Sequence, residues 1–348
     1  MTGVLTKALD AVASGRDLTR QEAGEVLAVI MAGEASEAEI AGLLIGLRAK
    51  GETREEIAGL AATMRELATP VSTRRDGLVD TAGTGGGRPS FNVSTTAALI
   101  AAGAGCPVAK HGNRSATGLS GSADVLEALG VRIDLQAEQV GRCIDEIGFG
   151  FMFAPAHHGA TRYVIPVRRS LAVRTIFNFL GPLTNPAGAR RQLIGVSDPR
   201  YLETLAGALA QLGADRALVV SSEDGLDEMS IAAPTRVVEV NGTEISTYTV
   251  SPEDVGLPTT PDPQATAGGV PAVNADITRA ILSGEPGPRR DLAVLNAGAA
   301  IYAGGGAPDL VSGVRAADAA IADGSAYATL ERLVAVTQEL ASAAEAGA

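Results

Sequence analysis

From Leu78 onward, short apolar runs that end near glycine alternate with longer stretches of helical periodicity. This alternation is typical of an α/β domain built on a largely parallel sheet. Residues 236–250 instead predict two antiparallel strands around the turn Asn241-Gly242. In such a sheet, functional loops should cluster beyond the carboxyl ends of the strands. We predict strand positions at 78–80, 108–110 and 217–221, and helices at 94–103, 123–129 and 201–212.

The first 70 residues lack this alternation and predict a unit made of helices only. Three capping boxes mark helix starts, at Thr19 with Glu22, Ser36 with Glu39, and Thr53 with Glu56. At 348 residues the chain is long enough for two domains. We therefore expect a small all-helical N-terminal domain at 1–70, which later hinge segments join. A large α/β domain with a mostly parallel central sheet should occupy 71–348.

The charge balance limits the kinds of partner. A net charge of −12 argues against a nucleic-acid or membrane-surface binder, because such proteins usually carry broad positive patches. It leaves room for a local cationic pocket. Cys106 and Cys143 lack CxxC spacing, so we expect small buried side chains in a reducing compartment. With no signal pattern and no membrane-spanning apolar run, the sequence predicts a cytoplasmic protein.

Two glycine-rich segments, at residues 80–95 and 108–122, each follow a predicted strand and precede a predicted helix. Glycine lets the backbone approach an anion, because no Cβ stands in the way. Asn92 and Ser94 stand at a helix start, where free N–H groups and the positive dipole end favour anions. The segments contain neither a Walker loop nor a dinucleotide fingerprint. A glycine-rich turn alone is more often structural, but together with Lys110 these donors predict a site for phosphate groups and a sugar.

Two adjacent carboxylates, Asp227 and Glu228, follow another predicted strand. Hard divalent cations such as Mg²⁺ take one or two carboxylates together with substrate phosphates. From the local sequence alone, a pair of solvated loop acids is the more common interpretation. His157 and His158 have no third ligand at metal spacing, so we interpret them as packing or pocket lining.

Arginines are concentrated in the middle of the chain. An arginine can bind a carboxylate with two parallel hydrogen bonds, although some members of such a group must be ion-paired surface residues. The group comprises Arg162, Arg168, Arg169, Arg174, Arg190 and Arg191.

A series of longer motifs points to a family. In chain order they are Gly83-Thr-Gly-Gly, Phe91-Asn-Val-Ser-Thr95, Val108-Ala-Lys-His-Gly-Asn-Arg114, Ser120-Gly-Ser-Ala-Asp124, Phe153-Ala-Pro155, Val167-Arg-Arg169, Arg174-Thr-Ile-Phe-Asn-Phe-Leu-Gly-Pro-Leu-Thr-Asn-Pro186 and Gly225-Leu-Asp-Glu228. No single motif is decisive, but this many in one order is highly specific. Over most of its length the chain resembles the anthranilate phosphoribosyltransferases of tryptophan biosynthesis.

The resemblance implies a helical domain joined by hinges to an α/β domain, an active site in the cleft between them, and a homodimer formed through the helical domain. It implies transfer of phosphoribose from phosphoribosyl pyrophosphate to the amine of anthranilate, with two Mg²⁺ ions. Because the aniline nitrogen is neutral at pH 7, positioning and electrostatics can lower most of the barrier, and we assign no catalytic side chain.

The resemblance also assigns binding residues. The metal ligands implied are Ser94, Asp227 and Glu228, and the anthranilate contacts are Gly83, Asn113 and Arg168, with Arg168 on the carboxylate. His111 lines the same pocket. The implied contacts of phosphoribosyl pyrophosphate are Gly83, Gly86, Ser90, Asn92, Val93, Ser94, Thr95, Lys110, His111, Gly112, Asn113, Arg114, Ser115, Ala116, Thr117, Gly118 and Ser122.

The chain departs from the family pattern at two places. Gly87 follows the Gly-Thr-Gly-Gly motif where the family usually has aspartate, and the loop is one residue shorter. That aspartate lies near the pyrophosphate and metal, so its loss bears on metal dependence and substrate affinity. Gly159 replaces a proline and should loosen a wall of the acceptor pocket.

Two other functions remain open at this point. One is a pyrimidine nucleoside phosphorylase, which resembles this family in fold and uses phosphate as the nucleophile. The other is a relative without catalytic activity that binds nucleic acid, against which the net charge counts. The motif at 177–186 and the pair Asp227 and Glu228 favour the transferase over both.

Overall fold

The computed structural model describes residues 2–115 and 118–347. Within them the α-helices are α1 (Thr2–Ala13), α2 (Arg20–Met31), α3 (Glu37–Lys50), α4 (Arg54–Glu66), α5 (Val93–Gly103), α6 (Ser122–Leu129), α7 (Ala137–Ile147), α8 (Ala154–His157), α9 (Ile165–Leu171), α10 (Phe177–Leu183), α11 (Leu202–Gln211), α12 (Pro271–Leu282), α13 (Pro288–Ala303), α14 (Leu310–Ala322) and α15 (Ser325–Gly347). The strands are β1 (Val79–Gly83), β2 (Val108–Gly112), β3 (Phe149–Phe153), β4 (Arg191–Gly195), β5 (Arg216–Ser222), β6 (Thr235–Asn241) and β7 (Glu244–Val250).

The N-terminal helices begin where the capping boxes predict. At α2, the backbone N–H of Glu22 donates to the Thr19 hydroxyl at 3.2 Å, and the Thr19 N–H donates back to the Glu22 carboxylate at 2.8 Å. The same reciprocal pairs open α3 and α4. Each pair satisfies helix N–H groups that have no partner within the helix.

Helices α1–α4 do not form an isolated bundle. Their apolar faces share one continuous hydrophobic core with α10, α11 and side chains of β4, β5 and β6. The opposite face of the sheet is covered by a second core that includes α5, α12, α13 and α15. Since both faces are covered, β5 carries a continuous apolar run at 217–220, as buried parallel strands usually do, whereas β1 and β2 bury the polar side chains of Asp80 and Lys110.

The seven strands form one sheet in the order β3-β2-β1-β4-β5-β6-β7. Strands β1 to β5 are parallel, and β6 and β7 are antiparallel. The predicted fold class is confirmed, including the antiparallel pair around Gly242. Strand β1 runs to Gly83, three residues beyond the predicted end, because these residues pair in register with β4 as far as Gly195.

The order of the strands reverses beside β1. The chain passes from β1 to β2 and β3 on one side, and then returns to place β4 on the other side of β1. In open α/β sheets, ligands bind in the crevice outside the carboxyl ends of the strands at such a switch point. Gly83 and Gly195, which are register partners, mark this point here.

Cys106 and Cys143 are both buried and free, as the sequence predicts. Among residues 2–115 and 118–347, no helix has the length and apolar character needed to cross a membrane.

Candidate active site

The glycine loop, defined here as residues 83–87, leaves the end of β1 and crosses the switch point. The N–H of Thr84 donates to the carbonyl of Gly195 at 2.8 Å, which ties the loop to β4. Gly85 and Gly86 have φ angles of 67° and 85°, a region that favours glycine. Ser197, just after β4, donates its hydroxyl to the Gly85 carbonyl at 2.9 Å. These hydrogen bonds therefore fix the position of the loop, and most of its residues carry no side chain.

The acidic pair lies directly against this loop. A Cβ built on Gly83 would lie 3.1 Å from the Asp227 carboxylate, and one built on Gly87 would lie 2.7 Å from the Asp227 backbone nitrogen. It would also overlap the Asp227 carboxylate. A side chain at position 87 would therefore fit only if Asp227 moved, and this steric limit explains the glycine at this position.

Lys110 reaches the same edge from β2. Its side chain is almost fully buried, and its ammonium donates to the Thr81 carbonyl and to the Ser94 hydroxyl, the latter at 3.3 Å. Burial lowers the pKa of Lys110, while Asp80 and Glu228 act in the opposite direction. Burial, and then the neighbouring charge of Asp227, raise the pKa of Glu228 to about 8.

Ser94, Asp227 and Glu228, the metal ligands that the resemblance implies, lie close together, and the acidic pair is not the solvated pair of loop acids that the local sequence favours. The Ser94 N–H contacts the Glu228 carboxylate, and Lys110 lies beside both. Burial raises the pKa of Asp227 as well. Two adjacent buried carboxylates and a hydroxyl form a set of hard oxygen donors. A divalent cation such as Mg²⁺ would offset the cost of burying the carboxylate charges. Within the described residues, no group of three or more His, Cys, Asp or Glu side chains could hold a metal, so substrate oxygens would have to complete the coordination.

Asn92 stands at the start of α5, as predicted, but its side chain is engaged within the protein. Its carbonyl oxygen accepts from the Ser120 hydroxyl at 2.9 Å and from the Asn274 amide at 2.8 Å. Its own amide donates to the Ser120 carbonyl at 3.1 Å. In this structure, Asn92 therefore joins the two glycine-rich segments to α12. Val93, Ser94 and Thr95 form the first turn of α5.

The second glycine-rich segment is organised by Asp124 on α6. This carboxylate accepts from the N–H groups of Ser115 and Gly121 at 3.0 and 2.8 Å. The Arg114 guanidinium pairs with Asp124 at 3.0 Å and with Glu127, so its charge is already balanced. Of the other predicted contacts, Ala116 and Thr117 lie outside the described residues.

The remaining predicted contacts lie around the same edge. The Asn113 carbonyl accepts from the Ser122 hydroxyl at 3.2 Å, and Gly112 ends β2. Gly118 donates its N–H to the Ser115 hydroxyl at 2.7 Å, and Ser90 donates to the Phe91 carbonyl at 3.0 Å.

Arg168 lies on α9, just before the segment whose Arg174 donates to the Thr84 carbonyl of the glycine loop. Its guanidinium packs 5.6 Å from the centre of the Phe177 ring. Among the described residues it makes no ion pair, and burial lowers its pKa. A largely buried guanidinium without a carboxylate partner is suited to bind a carboxylate from a ligand.

The three histidines are buried close to this region. Nδ1 of His111 donates to the Gly181 carbonyl, 3.1 Å away, and the ring centre lies 5.0 Å from that of His158. Burial, and then the neighbouring His158, lower the pKa of His111 to about 3. Burial lowers the pKa of His158 to about 4. Nε2 of all three histidines lacks a hydrogen-bond partner among the described residues, and the pocket-lining role of His111 stays a prediction.

The structure adds residues that the sequence analysis missed. Asp80 is fully buried beneath the site, where it accepts from the Asn185 amide at 2.7 Å and the His111 N–H at 3.1 Å, and burial raises its pKa to about 6. An aspartate inside an apolar strand, next to a glycine loop, is the signal that could have found it, because aspartate is almost never fully buried unless paired. Arg174 donates to the Thr84 carbonyl of the glycine loop, and Arg88 forms an ion pair with Asp224. No local sequence signal indicates either contact.

The comparison with known families agrees with this geometry. Residues 6–68 match the helical bundle domain of the glycosyl transferase family, and residues 75–327 match its a/b domain. An anthranilate phosphoribosyltransferase from Symbiobacterium thermophilum is 53% identical over 330 residues, which cover 94% of this chain and 96% of the relative. The chain belongs to the anthranilate phosphoribosyltransferase family.

Solved structures of anthranilate phosphoribosyltransferases show the same fold. The enzyme from Thermus thermophilus has a TM-score of 0.90 and 48% identity, covering 95% of this chain and 99% of that one. The enzyme from Saccharomyces cerevisiae in complex with PRPP and Mg has a TM-score of 0.88 and 25% identity, covering 97% and 99%. The predicted family and the class of enzyme, a phosphoribosyl-transferring glycosyltransferase, are confirmed. The phosphorylase and the nucleic-acid-binding alternatives are not favoured.

Proposed function

We propose that this cleft transfers phosphoribose from phosphoribosyl pyrophosphate to the amine of anthranilate. The observation that carries the proposal is the meeting of the glycine loop, Lys110 and the acidic pair at the switch point, together with the unpaired Arg168 on α9. In the reaction the bond between C1′ and the pyrophosphate oxygen breaks, and a bond between C1′ and the aniline nitrogen forms. One N–H proton leaves to water.

The donor side of the cleft stabilises negative charge. The N-terminus of α5 and the glycine loop offer N–H groups, and Lys110 supplies a fixed positive charge nearby. Such preorganised groups lower the energy of a leaving group on which charge develops. The contacts predicted in the sequence analysis, from Gly83 to Ser122, are part of this proposal.

Ser94, Asp227 and Glu228 would hold Mg²⁺ beside the donor. When bound, two such ions would neutralise charge that develops on the pyrophosphate. The buried acidic pair supports this assignment, because burial opposes the ionised form of both carboxylates and a bound cation would stabilise it. Asp227 is held in place by the close backbone of Gly83 and Gly87.

The acceptor side orients anthranilate without a general base. Arg168 would bind the carboxylate with two parallel hydrogen bonds, and Asn113, Gly83 and the neutral His111 ring would line the remaining pocket. A neutral aniline nitrogen is already nucleophilic, so orientation next to C1′ provides much of the rate enhancement.

The test is the loss of anthranilate fluorescence with phosphoribosyl pyrophosphate across a Mg²⁺ titration. We expect Mg²⁺-dependent consumption, and Arg168→Met should raise the KM for anthranilate by about tenfold to a hundredfold, the value of one charge-assisted hydrogen-bonded pair. Arg169→Met, which changes an exposed neighbour on α9, is the matched control. No consumption at any Mg²⁺ concentration would refute the proposal.

The assembly and location are further parts of the proposal. Three large apolar side chains, Ile45, Ile165 and Val173, are 40%, 42% and 44% exposed on the side formed by α3 and α9. They suit burial in a homodimer formed through a helical domain at 1–70, with 71–348 as the larger domain. Light scattering should give twice the mass of the chain, and Ile45→Asp should shift it to the monomer. The free cysteines suit a cytoplasmic location.

A further inference from the structure

Arg174 lies between α9 and α10 and places its guanidinium under the glycine loop. One nitrogen, Nη2, donates to the Thr84 carbonyl at 3.0 Å, and Nη1 donates to the Gly85 carbonyl at 2.5 Å. A Cβ built on Gly86 would overlap Nη1. The guanidinium therefore contacts three consecutive residues of the loop, and its planar fork matches two neighbouring carbonyls.

These two hydrogen bonds fix the orientation of two peptide planes. The described chain has no cis peptide bonds, and in a trans peptide the C=O and N–H groups point in opposite directions. With the Thr84 carbonyl turned to Arg174, the N–H of Gly85 faces Asp227 and contacts its carboxylate. With the Gly85 carbonyl turned to Arg174, the N–H of Gly86 points away from the guanidinium.

The N–H of Gly86 has no hydrogen-bond partner among the described residues, and Gly86 is exposed. A free N–H in a loop whose residues adopt positive φ angles is the kind of donor that lines anion-binding concavities. Arg174 itself makes no ion pair within the described residues, so its charge also acts on this side of the cleft. Its positive charge opposes the rise in the pKa of Asp227.

The backbone that carries Arg174 is held in an unusual conformation. Ala172, which ends α9, has a φ angle of 52°, the one positive value outside glycine in the described chain. A left-handed conformation is unfavourable for an L-residue, so the surrounding contacts must impose it. One such contact comes from α3, where Arg48 donates to the Arg174 carbonyl. The segment thus connects the helix that bears Arg168 to the glycine loop.

We infer that Arg174 is a positioning residue that sets the peptide planes of the glycine loop, so that Gly86 presents its N–H to the pyrophosphate group of the donor. This inference rests on the proposed function for the identity of the anion. The conformation that Arg174 imposes on the loop does not depend on any ligand. The two parts can therefore be tested separately.

The first test measures hydrogen exchange in the protein without ligand. Thr84 lies near the start of the loop and Arg88 directly follows it, and they donate their N–H groups to the carbonyls of Gly195 and Gly225, both at 2.8 Å. In Arg174→Met these two amides should exchange about tenfold faster, because the loop between them is released. Arg142→Met removes an exposed arginine from α7 and should leave them unchanged. Equal exchange in the Arg174→Met variant and the parent would overturn the inference, whatever the protein binds.

The second test measures binding of phosphoribosyl pyrophosphate by calorimetry. Arg174→Met should weaken it by about tenfold or more, the value of a hydrogen bond to a charged group. Arg174→Lys keeps the charge but cannot span both carbonyls, so it should recover only part of the affinity. Unchanged affinity in Arg174→Met would overturn the role in binding. No binding by the parent would refute the proposed function, and the exchange result would still decide the role of Arg174 in the loop.

Discussion

The ammonium of Lys110 lies 3.3 Å from the hydroxyl of Ser94, although the two residues are 16 positions apart in the chain. Lys110 comes from β2, and Ser94 comes from the first turn of α5, which connects β1 to β2. Only 1% of Lys110 is exposed, so its charge acts in a medium that screens it weakly. The pair places a positive charge and a helix N-terminus at one point of the sheet edge.

Replacing Lys110 should therefore affect binding and stability together. Lys110→Met removes the charge that acts on Asp80 and Glu228, and we expect affinity for phosphoribosyl pyrophosphate to fall by about a hundredfold, as for lost charge-assisted hydrogen bonds. Calorimetry measures the affinity, and thermal unfolding should show a lower Tm. Lys7→Met changes an exposed lysine of α1 and is the control. Equal affinity in Lys110→Met and Lys7→Met would contradict this role.

Binding of Mg²⁺ should release a proton from Glu228. Its pKa, raised to about 8 by burial and Asp227, leaves the carboxyl mostly protonated at pH 7, and only the ionised form is a metal ligand. Calorimetry of Mg²⁺ binding with the donor present, in two buffers of different ionisation enthalpy, should show close to one proton released at pH 7 and almost none at pH 9. Glu228→Gln should abolish the release. A release that does not depend on pH would argue against this carboxyl.

The buried histidines should make the fold sensitive to acid. Burial lowers the pKa of His158 to about 4, so between pH 6.5 and 4 the unfolded chain binds a proton that the native chain does not. The free energy of unfolding then falls as the pH falls through this window, by about 1.4 kcal/mol per pH unit for one proton. Urea unfolding should show a smaller pH slope for His158→Gln than for the parent. Identical slopes would mean that His158 titrates normally in the fold.

The ion pair between Arg88 and Asp224 should stabilise the two loops that carry the site. The side chains are only 14% and 12% exposed, and their closest atoms are 2.8 Å apart. Arg88→Met should lower the free energy of unfolding by about 2 kcal/mol, less than for a fully buried pair because some solvent reaches it. Arg16→Met, which removes an exposed pair with Glu22, should have little effect. A double-mutant cycle with Asp224→Asn that gives no coupling energy would contradict the pairing.

The sequence predicted the elements of the fold well where the signal is local. The capping boxes at Thr19, Ser36 and Thr53 mark the observed helix starts, because a cap is made by residues three apart. The strand ends were predicted too early. Gly83 and Gly112 resemble loop residues locally, but pairing with neighbouring strands keeps them extended.

The site could be predicted only in part. Ser94, Lys110 and the acidic pair stand in motifs, and the structure brings them together. Arg174 was named only as a member of the arginine group and Asn274 was not named, because their partners, the Thr84 carbonyl and the Asn92 side chain, are 90 and 182 positions away in the chain. Whether a given arginine or asparagine makes such a contact depends on tertiary packing, which a local pattern does not contain.

The most direct test of the central claim is ³¹P NMR of the parent enzyme with anthranilate, phosphoribosyl pyrophosphate and Mg²⁺. The account predicts that one pyrophosphate is released for each anthranilate consumed, while the phosphate at C5′ stays on the ribosyl product. Consumption of a nucleoside that requires inorganic phosphate, with no pyrophosphate released from the donor in the presence of anthranilate, would contradict it.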